Sequence, residues 1–150
     1  MVKLKRGNIF DDFNTLDYVG ITTNSILNNQ GELVMGAGIA KTAKQHNKHL
    51  PLLFGSQIKA KDVEGGFYGI LVQGKYFAFQ TKRHWKDNSD IQDVIRSVNI
   101  LKKGAEKYSD KVFGLPFPAI NNGGLSWEDV IKYLEDLPDN VIVYHLEDLV

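Results

Sequence analysis

Cysteine is absent from the chain. This absence excludes disulfides, thiolate zinc ligands and cysteine nucleophiles, and it is typical of proteins from reducing compartments. Net charge is absent too, because 18 Lys and Arg residues balance 18 Asp and Glu residues, so a general polyanion-coating function is not indicated. No apolar run approaches the length of a membrane span, and the basic start lacks the apolar segment of a signal peptide. We therefore expect a cytoplasmic protein with no membrane partner.

The residues that are present have the composition of an ordinary globular protein. Of the 150 residues, 43% are hydrophobic and 24% are charged. This length suits one domain with one substantial core, and we find no repeat, low-complexity stretch or linker. We therefore predict a single domain over residues 1–150.

Apolar runs and helical patterns alternate along the chain. The runs predict strands at 2–6, 16–23, 67–72, 76–79, 112–117 and 141–144, with a hairpin turn at 73–75. Helical spacing predicts helices from Ile39 to a stop at Pro51, over 51–61, from Ile91 to about Tyr108, and from Trp127 to about Leu137. Ser89 or Asp90 is suited to cap the third helix and Ser126 the fourth. This order favours a three-layer α/β/α sandwich with a mixed, largely parallel sheet.

Two glycine-bearing loops follow predicted strands and lead into predicted helices. The first spans 24–40 and contains Gly36-Ala37-Gly38; the second spans 120–125. A strand, loop and helix in this order direct free N–H groups and the positive end of a helix dipole at one point, where a phosphate can bind. The first loop lacks the spacing of a dinucleotide fingerprint or a P-loop, and a tight turn from strand to helix that binds nothing explains Gly36–Gly38 about equally well.

Taken in order, five segments resemble motifs of the macro domain family, the ADP-ribose-binding fold. They are Gly7–Phe10, Asn24, Met35–Ala40, Gln80–Trp85 and Asn122–Trp127. The resemblance as a whole extends over nearly the whole chain. The last two segments are similar to the branch that contains the terminal ADP-ribose protein glycohydrolase and the DNA ADP-ribosyl glycohydrolase antitoxins, near the ADP-ribose 1″-phosphate phosphatases. Two positions depart from the pattern. Asn8 replaces an aspartate that the family uses for the adenine amino group, and Gly123 replaces the catalytic aspartate of the human-type glycohydrolase.

The resemblance implies a site for ADP-ribose or for an ADP-ribosylated protein, an ADP-ribosylated DNA or ADP-ribose 1″-phosphate. Lys82 would attack the anomeric carbon, and Asn24 would orient the distal ribose. Apart from the resemblance, His84 is a candidate acid–base group because it lies near Lys82 in the sequence, and a loop histidine in water fits the sequence at least equally well. No cofactor and no metal is expected. The ligand-binding residues implied are Asn8, Ile9, Asn24, Met35, Gly36, Ala37, Gly38, Ile39, Ala40, Ile120, Asn121, Asn122, Gly123, Gly124 and Leu125.

Segment 81–86 has three interpretations from sequence. A catalytic Lys82 needs a neutral amine, so its pKa must fall from about 10.4 through burial or the nearby cations Arg83 and Lys86. A solvated basic loop needs no such shift. A nucleic-acid contact with Trp85 stacked on a base fits the interleaved basic and aromatic residues, although zero net charge makes it a minor alternative.

Two functions are predicted for the chain. The first is hydrolysis of ADP-ribosyl derivatives, and the alternative is non-catalytic reading of ADP-ribose.

Overall fold

A computed structural model describes residues 2–120 and 123–146. The predicted ligand contacts of Asn121 and Asn122 lie outside these residues. A short 3₁₀ helix spans Ile9–Asp12. None of the helices within the described residues is long and apolar enough to cross a membrane. The other elements are β1 (Lys3–Arg6), β2 (Tyr18–Thr23), α1 (Gly38–His46), α2 (Leu50–Lys61), β3 (Ile70–Gln73), β4 (Tyr76–Gln80), α3 (Ile91–Lys107), β5 (Phe113–Pro116), α4 (Trp127–Leu134) and β6 (Val141–His145).

The strands form one sheet in the order β1-β6-β5-β2-β4-β3. Each described pair of neighbours is parallel except β3 and β4, which are antiparallel and form the predicted hairpin. Gly74 in the hairpin turn has φ +59°, a conformation that glycine adopts without a steric penalty. The prediction of a mixed, largely parallel sheet is confirmed.

Side chains that alternate along β4 define the layers on the two faces of the sheet. Phe77 and Phe79 belong to a buried cluster with α3 and α4, while Tyr76 and Ala78 belong to a second cluster with α1 and α2. Helices therefore cover both faces, which confirms the three-layer α/β/α architecture.

Two helix ends differ from the sequence prediction. The first helix ends at His46, and Pro51 does not stop it; Pro51 lies in the first turn of α2, where its missing N–H leaves no hydrogen bond unmade. The last helix ends at Leu134, three residues early. Leu137 is still buried because a turn, closed by its N–H donating to the Leu134 carbonyl, returns it to the core.

Candidate functional site

Three adjacent parallel strands end at the same edge of the sheet and bring the predicted loops together. Strands β5, β2 and β4 are neighbours in the sheet, with β2 in the middle. Asn24 follows β2, Thr81 and Lys82 follow β4, and Phe117 follows β5. Ligands of α/β sheets bind at this type of edge.

A cleft of about 470 Å³ opens at this edge. Its walls come from both glycine loops, from the strand ends and from the start of α1. Ala37, at the N-cap position of α1, makes no side-chain hydrogen bond to the first helical turn. The N–H groups of that turn are therefore available to an anion in the cleft. The lining residues are Thr22, Thr23, Asn24, Val34, Gly36, Ala37, Gly38, Ile39, Ala40, Thr81, Lys82, Trp85, Ser89, Pro116, Phe117, Ala119, Ile120 and Gly123.

The first glycine loop has an open backbone at the cleft. Gly38 has φ +56°, in the left-handed region that favours glycine. A Cβ added at Gly36 would meet no atom within 4 Å. Met35 does not line the cleft; its side chain is buried in the cluster with α1 and α2. A ligand contact of Met35 stays a prediction, and with this side chain in the core it would have to come from the backbone.

Asn24 is held in place at the end of β2 by hydrogen bonds to its own loop. Its Nδ2 donates to the Val34 carbonyl at 2.9 Å, and its Oδ1 accepts from the Ile26 N–H at 2.9 Å. The Tyr68 hydroxyl donates to the Asn24 carbonyl at 2.6 Å. One amide hydrogen and one lone pair of the Asn24 side chain remain for another partner, so the fixed amide is suited to contact a ligand hydroxyl.

Lys82 lines the cleft and is partly buried. Its Nζ donates to the backbone carbonyl of Asp87 at 3.0 Å. Burial lowers the pKa of Lys82 below its ordinary value, and the Asp87 carboxylate opposes this shift. The direction is the one that a nucleophilic amine needs. Its cause is burial rather than repulsion by Arg83, because the Arg83 guanidinium is paired with Asp93.

Gln80, which is fully buried, holds the backbone around Lys82. Its Nε2 donates to the carbonyls of Gly66 at 2.7 Å and Lys82 at 3.1 Å, and its Oε1 accepts from the N–H groups of Tyr68 at 2.7 Å and Gly69 at 3.2 Å. A single side chain therefore ties the Lys82 backbone to the 66–69 segment, which also carries the Tyr68 hydroxyl that fixes Asn24.

An ion pair fixes the residue after Lys82. Arg83 Nε lies 3.2 Å from Oδ2 of Asp93, whose side chain is only 1% exposed, and the Arg83 carbonyl accepts hydrogen bonds from the Ser25 N–H and hydroxyl.

Replacing Arg83 with Met leaves the buried carboxylate without its charged partner. We expect the free energy of unfolding to fall by about 1–3 kcal/mol in chemical denaturation. Lys86→Met, at an exposed neighbouring position, is the control and should leave it within about 0.5 kcal/mol; equal losses in both variants would contradict a stabilising ion pair.

The second glycine loop packs too tightly for a side chain at Gly123. An added Cβ would lie 2.5 Å from the Ala119 carbonyl oxygen and 2.4 Å from the Ser89 hydroxyl. The Gly123 carbonyl accepts a hydrogen bond from the Ser89 N–H at 2.7 Å, and the Leu125 N–H closes the loop on the Ala119 carbonyl. The described conformation therefore leaves no space for the aspartate of the human-type glycohydrolases.

Several predicted site residues lie away from the cleft walls. Oδ1 of Asn8 accepts a hydrogen bond from the Phe10 N–H and caps the 3₁₀ helix, while Ile9 is buried in the core. Nδ1 of His84 accepts from the Lys86 N–H at 3.2 Å, and its ring contacts Trp85. Gly124 and Leu125 are also absent from the lining. For these residues a contact with ligand stays a prediction.

Sequence patterns missed other residues of the lining. Thr22, Thr23, Pro116 and Phe117 belong to strand ends or directly follow them. Their position at the carboxyl ends of parallel strands is the signal that could have identified them. The sequence pattern predicts Ser89 only as a possible helix cap, whereas the observed cap is Asp90, whose side chain accepts a hydrogen bond from the Gln92 N–H.

The fold of the chain is that of the macrodomains. The chain superposes on the macrodomain of Thermus aquaticus DarG with TM-score 0.76 and 23% identity, covering 99% of both chains. It superposes on the macrodomain of Mycobacterium tuberculosis DarG with TM-score 0.74, 23% identity and 99% of both chains covered. Thermosipho africanus DarTG, solved in complex with ADP-ribose, matches with TM-score 0.75 and 22% identity over 97% of this chain and 42% of that one.

In sequence, the chain is similar to the DNA ADP-ribosyl transferase–DNA ADP-ribosyl glycohydrolase fusion protein of Thermosipho africanus (strain H17ap60334). The two are 23% identical over 168 aligned positions, which cover 95% of this chain. The chain spans only 41% of the length of that relative. No family model matches the chain.

Proposed function

We propose that the chain binds ADP-ribose in the cleft and hydrolyses ADP-ribosyl derivatives. The observation that carries the proposal is Lys82, a partly buried lysine with a lowered pKa in the wall of a cleft formed by two glycine loops. The macrodomain fold supports it, as does the neighbour that was solved with ADP-ribose. ADP-ribosylated DNA is the preferred substrate class, because the similar fusion protein is named for a DNA ADP-ribosyl glycohydrolase.

The proposed reaction uses Lys82 as a nucleophile. Its neutral amine attacks the anomeric carbon of the distal ribose and displaces the modified group, which leaves with one of the two amine protons. The ribose ring then opens as the bond between the anomeric carbon and the ring oxygen breaks. The ring oxygen takes the second amine proton, and the carbon–nitrogen bond becomes an imine. Water then hydrolyses the imine, which regenerates the amine and releases ADP-ribose. Asn24, fixed by the hydrogen bonds to Val34 and Ile26, orients the ribose hydroxyls during attack.

A non-catalytic reader is the second candidate. The hydrogen bond from Lys82 Nζ to the Asp87 carbonyl favours it, because this contact and the Asp87 carboxylate stabilise the ammonium form. The charged form can bind a phosphate or ribose oxygen but cannot attack carbon. The two candidates therefore differ in the protonation state of a single amine.

The proposal is tested by release of free ADP-ribose. The chain is incubated separately with ADP-ribosylated DNA, ADP-ribosylated protein and ADP-ribose 1″-phosphate, and ADP-ribose is quantified by chromatography. We expect multiple turnovers on ADP-ribosylated DNA. Binding of ADP-ribose without turnover on any substrate would favour the reader, and turnover of ADP-ribose 1″-phosphate alone would identify a phosphatase.

The rate should depend on pH in the direction set by Lys82. Only the neutral amine attacks, so kcat/KM is low where the ammonium predominates and rises as the pH increases toward the lowered pKa of Lys82. Because burial lowers this pKa, the midpoint of the rise should lie below the ordinary lysine value of 10.5. Initial rates across the pH range, with circular dichroism to verify folding, provide the measurement. A rate that falls as pH rises would contradict an amine nucleophile.

A further inference from the structure

The hydroxyl of Ser89 is a buried polar group whose hydrogen-bonding capacity is unused. Ser89 lines the cleft and is 7% exposed, and its Oγ has no hydrogen-bond partner among the described residues. Buried polar groups in folded proteins nearly always have a partner, because an unpartnered hydroxyl is costly to desolvate. The group therefore calls for an explanation that the helix cap does not provide, since Asp90 caps α3.

The backbone of Ser89 is fixed between the two parts of the site. Its N–H donates to the Gly123 carbonyl at 2.7 Å, and the next residue, Asp90, donates its N–H to the Thr81 carbonyl at 2.9 Å. The first bond holds the second glycine loop and the second holds the strand end that carries Lys82. Ser89 thus joins the loop expected to contact the diphosphate to the segment that positions the amine.

The hydroxyl oxygen is fully buried in the described conformation, so a ligand reaches it only when the side chain turns toward the cleft. Gly123 lies directly against Ser89, and a Cβ at that position would approach the Oγ to 2.4 Å. Rotation of a serine side chain between its staggered χ1 positions changes the direction in which the hydroxyl points. Because residue 123 is a glycine, no side chain of that residue packs against the Ser89 hydroxyl.

We infer that Ser89 is a ligand-binding residue whose hydroxyl donates a hydrogen bond to an oxygen of the ADP-ribosyl group beside the 119–123 loop. The inference rests on the proposed function, since the ligand is the one proposed for the cleft. It explains why a hydroxyl is buried without a partner, because the ligand completes its hydrogen bonding. The same group then costs stability in the free protein and contributes affinity in the complex.

This dual effect separates a binding role from a structural one. Ser89→Ala removes an unpartnered buried hydroxyl, so the free protein should melt at the same temperature as wild type or higher. Its affinity for ADP-ribose should fall by about five-fold to fifty-fold. A purely structural serine gives the reverse pattern, with a lower melting temperature and unchanged affinity.

Ser97 offers a matched control. It is fully buried, and its Oγ donates to the Gln80 carbonyl at 2.7 Å, outside the cleft lining. Ser97→Ala should lower the melting temperature and leave the affinity for ADP-ribose unchanged, because it removes a hydrogen bond that exists in the free protein.

The experiment measures thermal unfolding and calorimetric titration with ADP-ribose for wild type, Ser89→Ala and Ser97→Ala. The expected result is weaker binding without loss of stability in Ser89→Ala alone. If Ser89→Ala binds ADP-ribose with wild-type affinity, the inference is overturned and the proposed function stands. A trapped water that satisfies the Ser89 hydroxyl in place of the ligand would give this result. A wild-type protein that does not bind ADP-ribose overturns both.

Discussion

Lys82→Arg should still bind ADP-ribose and should release it from ADP-ribosylated DNA at least about 1000-fold more slowly than the wild type. Arginine keeps the positive charge in the cleft wall, so the electrostatic attraction for the diphosphate persists. Its guanidinium cannot be deprotonated in a protein and cannot form an imine. The measurement pairs calorimetric titration with ADP-ribose and single-turnover release from ADP-ribosylated DNA.

Lys86→Arg is the matched control, because Lys86 is exposed and lies outside the cleft lining. It makes the same chemical change four residues away and should retain wild-type turnover. Full turnover by Lys82→Arg would contradict the covalent route. Full turnover by Lys82→Arg on ADP-ribose 1″-phosphate, and on no other substrate, would instead indicate a phosphatase. In such an enzyme the positive charge of residue 82 would suffice to stabilise the departing phosphate.

Gly36→Glu should act on the binding of ADP-ribose, whereas Lys82→Arg acts on the chemical step. Gly36 lines the cleft, it is not among the glycines with positive φ, and an added Cβ meets nothing within 4 Å. Glutamate therefore fits the free protein without strain but brings a carboxylate to the expected diphosphate position. Repulsion between like charges at an interface costs several kcal/mol. We expect the affinity for ADP-ribose to fall by at least about 100-fold, or about 2.7 kcal/mol, in calorimetric titration.

The control for this variant is Gly104→Glu. Gly104 lies in α3 outside the cleft lining, and its added Cβ also meets nothing within 4 Å. This change adds the same charge and should leave the affinity unchanged. The same substitution at Gly38 is less informative, because φ +56° makes any side chain there strained. Wild-type affinity in Gly36→Glu would place the ligand elsewhere.

Local sequence patterns predicted most of the architecture. The Gln73-Gly74-Lys75 turn between two apolar runs marked the hairpin, and the apolar spacing of Ile91 to Leu101 marked α3. These signals are local, since turn chemistry and helical periodicity act within a few residues. The predicted helix stop at Pro51 was wrong because proline is compatible with the first turn of a helix, where Pro51 lies in α2. Only in a helix interior does proline break the helix.

The framework around the candidate site could not be predicted in the same way. Gln80 binds Gly66 and Tyr68, and Arg83 pairs with Asp93, so these contacts join segments whose proximity depends on the folded sheet. A glutamine at the end of an apolar strand gives no sign of such partners. For the same reason, the sequence does not distinguish burial from nearby cations as the cause of a lowered Lys82 pKa, because burial is a property of the tertiary fold.

The most direct test of the account is to trap the proposed imine. Wild-type protein turning over ADP-ribosylated DNA is treated with borohydride, which reduces an imine to a stable amine, and the modified peptide is located by mass spectrometry. The account predicts one ADP-ribose adduct on Lys82, recognised by the loss of tryptic cleavage after this residue, and none in Lys82→Arg. Sustained release of ADP-ribose without an adduct, or an adduct on Lys86 in place of Lys82, would contradict it.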